Sequence, residues 1–320
     1  MSYCSKILGC GSYLPEKILT NDDVSKIVDT SDEWIRERTG ITKRHVAAEG
    51  ELTSDLGHKA AVNALKNAGL SADDLDMIIV ATTTPDNIFP STATKIQAKL
   101  EMKHGFAFDL QAVCSGFVYA VSVADKFIKT GSAKNVLVIG AETLSRILNW
   151  EDRNTCVLFG DGSGAIVLGR DETGQSEIID SELYSDGSLY EILNTDGGPS
   201  LTGGEGKITM QGRDVFKHAV SKMASAIDSI VKNNGLSFEQ IKLVVPHQAN
   251  QRILDAVAKR LNLTQDTVIS TVNKHANTSA ASIPLALNEA LSHNKLARGD
   301  YVVFEALGAG LTWGSLLIKY

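Results

Sequence analysis

Short continuous apolar blocks punctuate the chain. The runs MIIV at 77–80, VLVIG at 136–140, KLVVP at 242–246 and YVVF at 301–304 read as strands covered on both faces. Between them the apolar positions take helical spacing: Ala60, Ala64 and Leu65; Phe117, Val121, Ala124 and Ile128; Ala226, Ile227, Ile230 and Val231. A further helix is expected over 250–262, with Ile253, Leu254, Val257 and Leu261 on one face. Alternation of buried strands and amphipathic helices predicts the α/β class.

The pattern repeats. KNAGLSADDLDMIIV at 66–80 returns as KNNGLSFEQIKLVVP at 232–246, a constant offset of 166, with five of fifteen positions identical. Each copy reads as a helix end, a glycine stop, an N-cap serine with an acidic residue two positions on, and a buried strand. A weaker echo pairs the stretch after Cys114 with the stretch after Asn277. These residues are 163 apart, which implies a small gap between the two blocks. Two similar halves follow, 1–170 and 171–320. Residues 170–206 are rich in Gly, Ser, Asp and Glu, so the later part of that stretch is expected to be an exposed loop excursion.

Composition narrows the function. A net charge of -7 argues against nucleic-acid binding, and no apolar run is long enough to span a membrane. The start, MSYCSKILGC, lacks the apolar core of a leader. Cys4, Cys10, Cys114 and Cys156 form no CxxC pair, so neither zinc nor a disulfide framework is suggested. A reducing cytoplasm is the expected compartment, and no metal site is expected.

The candidate chemistry lies where strands end. Cys114 is expected to close one strand and open a helix, whose dipole would favour thiolate. Asn277 is expected to do the same in the other half, and His247 follows the strand IKLVVP directly. Alone, each has a plain structural use: a buried thiol, a loop histidine, a helix-capping amide. Together they allow acyl transfer. His can act as donor or base, and Asn can donate to an oxyanion. Two reactions fit. One is hydrolysis, in which Asn orients His. The other is transfer to carbon, in which His and Asn hold a thioester oxyanion.

Longer motifs carry a resemblance. GSYLPEKILTNDDV at 11–24, DTSDEWIRERTGI at 29–41, AVCSGF at 112–117, LFGDGSGA at 158–165, VPHQAN at 245–250, NTSAAS at 277–282 and GAGLTWGS at 308–315 are similar to the β-ketoacyl-acyl-carrier-protein synthase III family. These condensing enzymes start bacterial fatty acid synthesis. The resemblance implies a thiolase-like duplicated fold. It implies a homodimer that condenses a short acyl-CoA, acetyl-CoA first, with malonyl-acyl-carrier protein. Coenzyme A thioester would be a substrate, and no cofactor would be bound permanently. Cys114 would be the acyl-carrying nucleophile, with His247 and Asn277 promoting decarboxylation. The backbone N–H groups of Cys114 and Ala309 would form a second oxyanion hole.

The same resemblance implies coenzyme A contacts at Trp34 and Arg153 about the adenine, and at Thr30 and Arg38 near the phosphates. Gly212, Phe216, Ala249 and Asn250 would line the pantetheine channel. Arg252, Lys259 and Arg260 would dock the acidic carrier protein, and Phe89 would cross a dimer interface to bound the partner's acyl pocket. Gly160, Gly162 and Gly164 read as close packing behind the site. Two residues depart from the family pattern: Ala276 before Asn277, and Ala309 inside a glycine triplet. The competing readings are a relative with another starter or acceptor, a cysteine acyl hydrolase, and a non-catalytic binding partner.

Overall fold

The computed structural model describes residues 3–171 and 177–320. The first sheet begins with β1 (Cys4–Tyr13). A short hairpin, β2 (Ile18–Thr20) and β3 (Lys43–His45), precedes its other strands. These are β4 (Met77–Ala81), β5 (Phe106–Leu110), β6 (Asn135–Glu142) and β7 (Gly162–Asp171), in the order β1-β7-β6-β4-β5. Strands β5, β4 and β6 are parallel, and β7 and β1 close the sheet antiparallel.

The second sheet repeats this plan with one strand fewer. β8 (Glu177–Ser185) is followed by an excursion holding the small hairpin β9 (Leu193–Thr195) and β10 (Ile208–Met210). Then come β11 (Ile241–Pro246), β12 (Tyr301–Gly308) and β13 (Thr312–Lys319), in the order β11-β12-β13-β8. The counterpart of β5 has shrunk to a single parallel bridge between Val268 and Val244.

Burial follows the period of two. Met77, Ile79 and Ala81 face a central core with Val136 and Val138, while Ile78 and Val80 face an outer one with Leu137 and Ile139. Leu243, Val302 and Phe304 meet the same central core from the second sheet, and Val244, Val303 and Leu317 turn outward. Helices Gly116–Lys129 and Ser282–Ser292 fill the central layer. Helix Thr53–Ala68 covers the outside of the first sheet, and helix Gly212–Asn233 the outside of the second. Helix Thr53–Ala68 approaches closely because β1 has glycine beneath it. A Cβ on Gly11 would sit 2.2 Å from the Ala64 nitrogen. This is a duplicated, five-layered α/β architecture.

The repeat is more regular than the sequence suggests. The 3-10 turns Ala72–Asp74 and Phe238–Gln240, the turns Val113–Ser115 and Ser279–Ala281, and strands β6 and β12 all start 166 residues apart. Cys114 therefore corresponds to Ala280. The expected pairing of Cys114 with Asn277, with a gap between blocks, is corrected: Asn277 stands three residues upstream of the true counterpart. It follows the one-turn helix Val272–His275 rather than a strand.

The serine caps also differ in detail. Asp74 accepts from both the N–H and the hydroxyl of Ser71, at 2.8 and 2.7 Å, and Gln240 Oε1 accepts the Ser237 N–H at 3.0 Å. The partner of each serine N–H lies three positions on, where a tight turn brings it back to the cap, while the Ser237 hydroxyl also holds Glu239, two positions on, below the usual carboxylate range.

Candidate active site

Cys114 sits in the 3-10 turn between β5 and helix Gly116–Lys129, with its side chain almost wholly buried. Val113 before it has φ +50, a backbone conformation costing about 1–3 kcal/mol that aims the next residue into the crevice. Burial pushes the thiol up to about 12. The Ser279 hydroxyl eases this shift, and the buried Glu142 carboxylate adds to it. Desolvation is the largest influence on this thiol. Glu142, at the end of β6, is held by the hydroxyls of Thr82, Thr83 and Thr84, the last at 2.7 Å.

His247 extends β11 by one residue. Its N–H donates to the Glu305 carbonyl of β12 at 2.7 Å. Its ring lies 2.7 Å from Ser282 Oγ through Nδ1. Burial draws its pKa down to about 3, so the imidazole is neutral.

Asn277 is clamped by backbone. Its N–H donates to Leu158 O at 2.9 Å, and its carbonyl accepts Gly160 N–H at 3.0 Å. Its Oδ1 accepts the Ser279 N–H at 2.9 Å. This bond fixes which way the amide points, and the NH2 is its donor group.

Gly308, which ends β12, presses on the cysteine turn. The loop beyond it is fastened by Thr312, whose hydroxyl lies 3.0 Å from both Ala112 O and Ala309 O. Ser115 Oγ adds a 2.8 Å contact to Thr312 Oγ1. These contacts hold the Ala309 segment beside Cys114. Positive φ falls on Gly310, at +129, and not on Ala309, so the alanine side chain causes no backbone strain there. Ala276 is different. Its φ of +58 with ψ of -161 lies in a region that is essentially glycine's.

Cys114, His247 and Asn277 share the wall of one cavity of about 560 Å³. Trp34, Arg38, Gly212, Phe216, Ala249 and Asn250 line it as well. Arg38 and Arg153 flank the Trp34 ring, at 4.6 and 5.0 Å from its centroid. Arg153 itself is not on the cavity wall; it donates to Asp29 O at 3.1 Å. Thr30 is also off the wall, with its hydroxyl buried and, among the described residues, without a hydrogen-bond partner.

Arg252 lines the mouth, 5.7 Å over the Phe216 ring. Lys259 and Arg260 are exposed at the far end of the helix, which runs Gln251–Arg260, slightly shorter than expected. Phe89 is 83% exposed beside the exposed Ile88. Gly162 and Gly164 lie in β7, with Gly164 against Pro284.

Sequence reasoning passed over Arg213 and Asn154 on the cavity wall. It also passed over Glu142, Ser279 and Ser282 behind it. Ser279 and Ser282 lay in plain view within NTSAAS, but a serine beside small residues has no pattern that marks it as a partner of histidine.

Residues 108–187 match the family of 3-oxoacyl-[acyl-carrier-protein (ACP)] synthase III, and residues 231–320 match its C-terminal part. The β-ketoacyl-[acyl-carrier-protein] synthase III of Paramagnetospirillum magneticum is 56% identical over 319 residues, covering 98% of each chain. The chain belongs to the β-ketoacyl-acyl-carrier-protein synthase III family. The enzyme of the same name from Wolbachia pipientis wMel is 57% identical over 317 residues, covering 99% of each chain. The crystal structure of 3-oxoacyl-[acyl-carrier-protein] synthase III from Aquifex aeolicus superposes with a TM-score of 0.95 at 50% identity, covering 99% of this chain and 100% of that one. Membership makes the protein an acyltransferase-type condensing enzyme with the thiolase-like fold. Among the described residues no helix is long and apolar enough to cross a membrane.

Proposed function

We propose that the protein condenses a short acyl-CoA, acetyl-CoA first, with malonyl-acyl-carrier protein to give a 3-oxoacyl-carrier protein. The observation that carries this reading is the state of Asn277. Its oxygen accepts the Ser279 N–H, and among the described residues no hydrogen bond joins its side chain to His247. A hydrolase would need that oxygen to orient the histidine. Here His247 and Asn277 instead present two neutral donors to one cavity.

In the first half-reaction the Cys114 sulfur bonds to the acyl carbon and coenzyme A leaves as its thiol with the displaced proton. Storing the acyl group divides a three-body reaction into two steps and gives ping-pong kinetics. In the second, the malonyl carbon–carboxylate bond breaks and carbon dioxide departs. The resulting enolate oxygen takes hydrogen bonds from His247 and Asn277. The new carbanion bonds to the acyl carbon. The backbone N–H groups of Cys114 and Ala309 hold the tetrahedral oxyanion, and the released Cys114 thiolate takes a proton from solvent.

Arg252, Lys259 and Arg260 form the local basic surface for an acidic carrier, which a chain of net charge -7 cannot attract as a whole. Trp34, Arg38, Arg153 and Thr30 surround the nucleotide end of coenzyme A. Gly212, Phe216, Ala249 and Asn250 form the pantetheine channel. The two halves, 1–170 and 171–320, share this site; residues 172–176 at their junction lie outside the described residues. Phe89, exposed here, completes the acyl pocket of a second copy in a cytoplasmic homodimer.

Carbon dioxide release from malonyl-carrier protein tests the reading, together with intact-mass detection of acyl groups on Cys114. Release of carbon dioxide and an acyl-enzyme are expected. Free acid with no carbon dioxide would mean a hydrolase, and loading only by longer or branched acyl groups would mean another starter.

A further inference from the structure

We propose that Arg44 is a positioning residue that ties the wall of the cavity bearing Trp34 to the segment that clamps Asn277, so that the two are held in one geometry. The proposal rests on the condensing reading for its catalytic consequence; the clamp itself does not.

Arg44, in the middle of β3, is completely buried. Among the described residues no carboxylate pairs with it. Burial draws its pKa down to about 10, so the guanidinium is still a cation at neutral pH. A buried cation without a counter-ion is costly, and its presence needs a reason. The fork of donors supplies one. One terminal nitrogen donates to Asn21 Oδ1 at 2.9 Å and to Leu19 O at 3.4 Å, and the other donates to Val157 O at 2.8 Å. The single nitrogen of a lysine could not reach both sides at once.

The two arms lead in different directions. Asn21 is buried as well, and its Nδ2 donates to Asp32 Oδ1 and to Ile41 O, both at 2.8 Å. These residues bracket the helix Asp32–Thr39, on which Trp34 and Arg38 line the cavity. The other arm fixes the segment that grips Asn277, where Leu158 O accepts the Asn277 N–H and the Gly160 N–H donates to Asn277 O. Gly160 lies close over Arg44: a Cβ there would sit 3.1 Å from Arg44 Cβ. Neighbours of Arg44 hold both flanks of the asparagine. Thr42 donates through its N–H and its hydroxyl to Asn273 O, each at 2.8 Å, and His45 O accepts the Asp161 N–H at 2.9 Å. Ile35, Ile41, Val157, Val272 and Ala276 belong to one apolar cluster that joins the same segments.

The consequence is specific. Asn277 serves the decarboxylation step, and a displacement of about 1 Å caused far from the chemistry can cost about a hundred-fold in rate. Loading of Cys114 does not use Asn277, so the loss of Arg44 should fall mainly on carbon dioxide release.

Hydrogen exchange of the intact protein reads the clamp without any substrate. In Arg44→Lys, which keeps the charge and loses the fork, the Asn277 and Gly160 amides are expected to exchange about ten-fold faster, while the amides of β4 keep their wild-type protection. Carbon dioxide release from malonyl-carrier protein should fall about ten- to hundred-fold, more than acyl loading does, and KM for acetyl-CoA should rise. Added to Arg44→Lys, Asn277→Ala should slow carbon dioxide release by about two-fold at most, whereas His247→Ala should cost as much as it does alone. Where Arg44→Lys fails to fold, Asn21→Ala answers in its place, with faster exchange at the same two amides. Unchanged exchange at these amides overturns the proposal. So does an equal loss of protection across β4, which would make Arg44 a general structural residue, and so does full additivity with Asn277→Ala. Faster exchange at the two amides, in a protein whose wild type releases no carbon dioxide, upholds the clamp and overturns the condensing reading alone.

Discussion

The backbone of Gly308 lies against that of Cys114: a Cβ on Gly308 would sit 2.7 Å from the Cys114 nitrogen. The clash is with backbone, so no rotamer change relieves it. Gly308→Ala must push apart the two segments whose N–H groups we propose as the acyl oxyanion hole. We expect loss of acyl loading by about 10²–10³-fold, the cost of one misplaced donor. Stopped-flow measurement of acyl-enzyme formation checks this. Near-normal loading would mean that the hole lies elsewhere.

His247 and Asn277 are expected to separate the two half-reactions. His247→Ala and Asn277→Ala each remove one enolate donor, worth about 3–4 kcal/mol at oxyanion sites, while leaving Cys114 and its own oxyanion hole in place. Carbon dioxide release should fall about 10²–10³-fold and the acyl-enzyme should still form. Equal loss of both half-reactions in either variant would contradict the assignment.

The buried Cys114 thiol has its pKa pushed up to about 12. Alkylation by iodoacetamide should therefore climb with pH, without a plateau between about pH 6 and pH 9. Glu142 contributes to the upward shift, so removing its charge should act in the opposite sense. In Glu142→Gln the alkylation curve should move to lower pH. A plateau near neutral pH in the wild type, or a shift to higher pH in the variant, would refute this electrostatic account.

Ala276 carries a strained backbone beside Asn277. Ala276→Gly removes a conformational cost of about 1–3 kcal/mol and adds about 0.5–1 kcal/mol of unfolded-chain entropy. A net stabilisation on the order of 1 kcal/mol is expected, read as a higher urea midpoint. Ala309→Gly, at a position without positive φ, should give no such gain.

Arg252 and Lys259 differ in place although both are basic. Arg252 borders the cavity, and Lys259 lies two helical turns away on the exposed surface. Charge reversal at either should raise KM for malonyl-carrier protein, more at low salt than at high salt. Only Arg252→Glu should also weaken coenzyme A thioester binding. Salt-independent KM values in both variants would remove the docking role.

Much of this protein was determined by sequence alone. The apolar blocks and the 166-residue echo specified covered strands, layered helices and duplication, because period-two and period-3.6 burial are local properties of the chain. Motifs brought Cys114, His247 and Asn277 to notice. Tertiary structure decided what a linear pattern does not encode. It paired Cys114 with Ala280 and not with Asn277, since homologous positions are set by equivalent packing and not by matching chemistry. It also separated two substitutions that look alike in sequence: Ala276 sits at φ +58, whereas Ala309 does not have positive φ. The state of the site was likewise decided in three dimensions. Desolvation of Cys114 and His247, the carboxylate of Glu142 and the hydroxyl of Ser282 act across contacts between segments far apart in the chain. A titration or a tautomer depends on the sum of such neighbours, which exists only once the chain has folded.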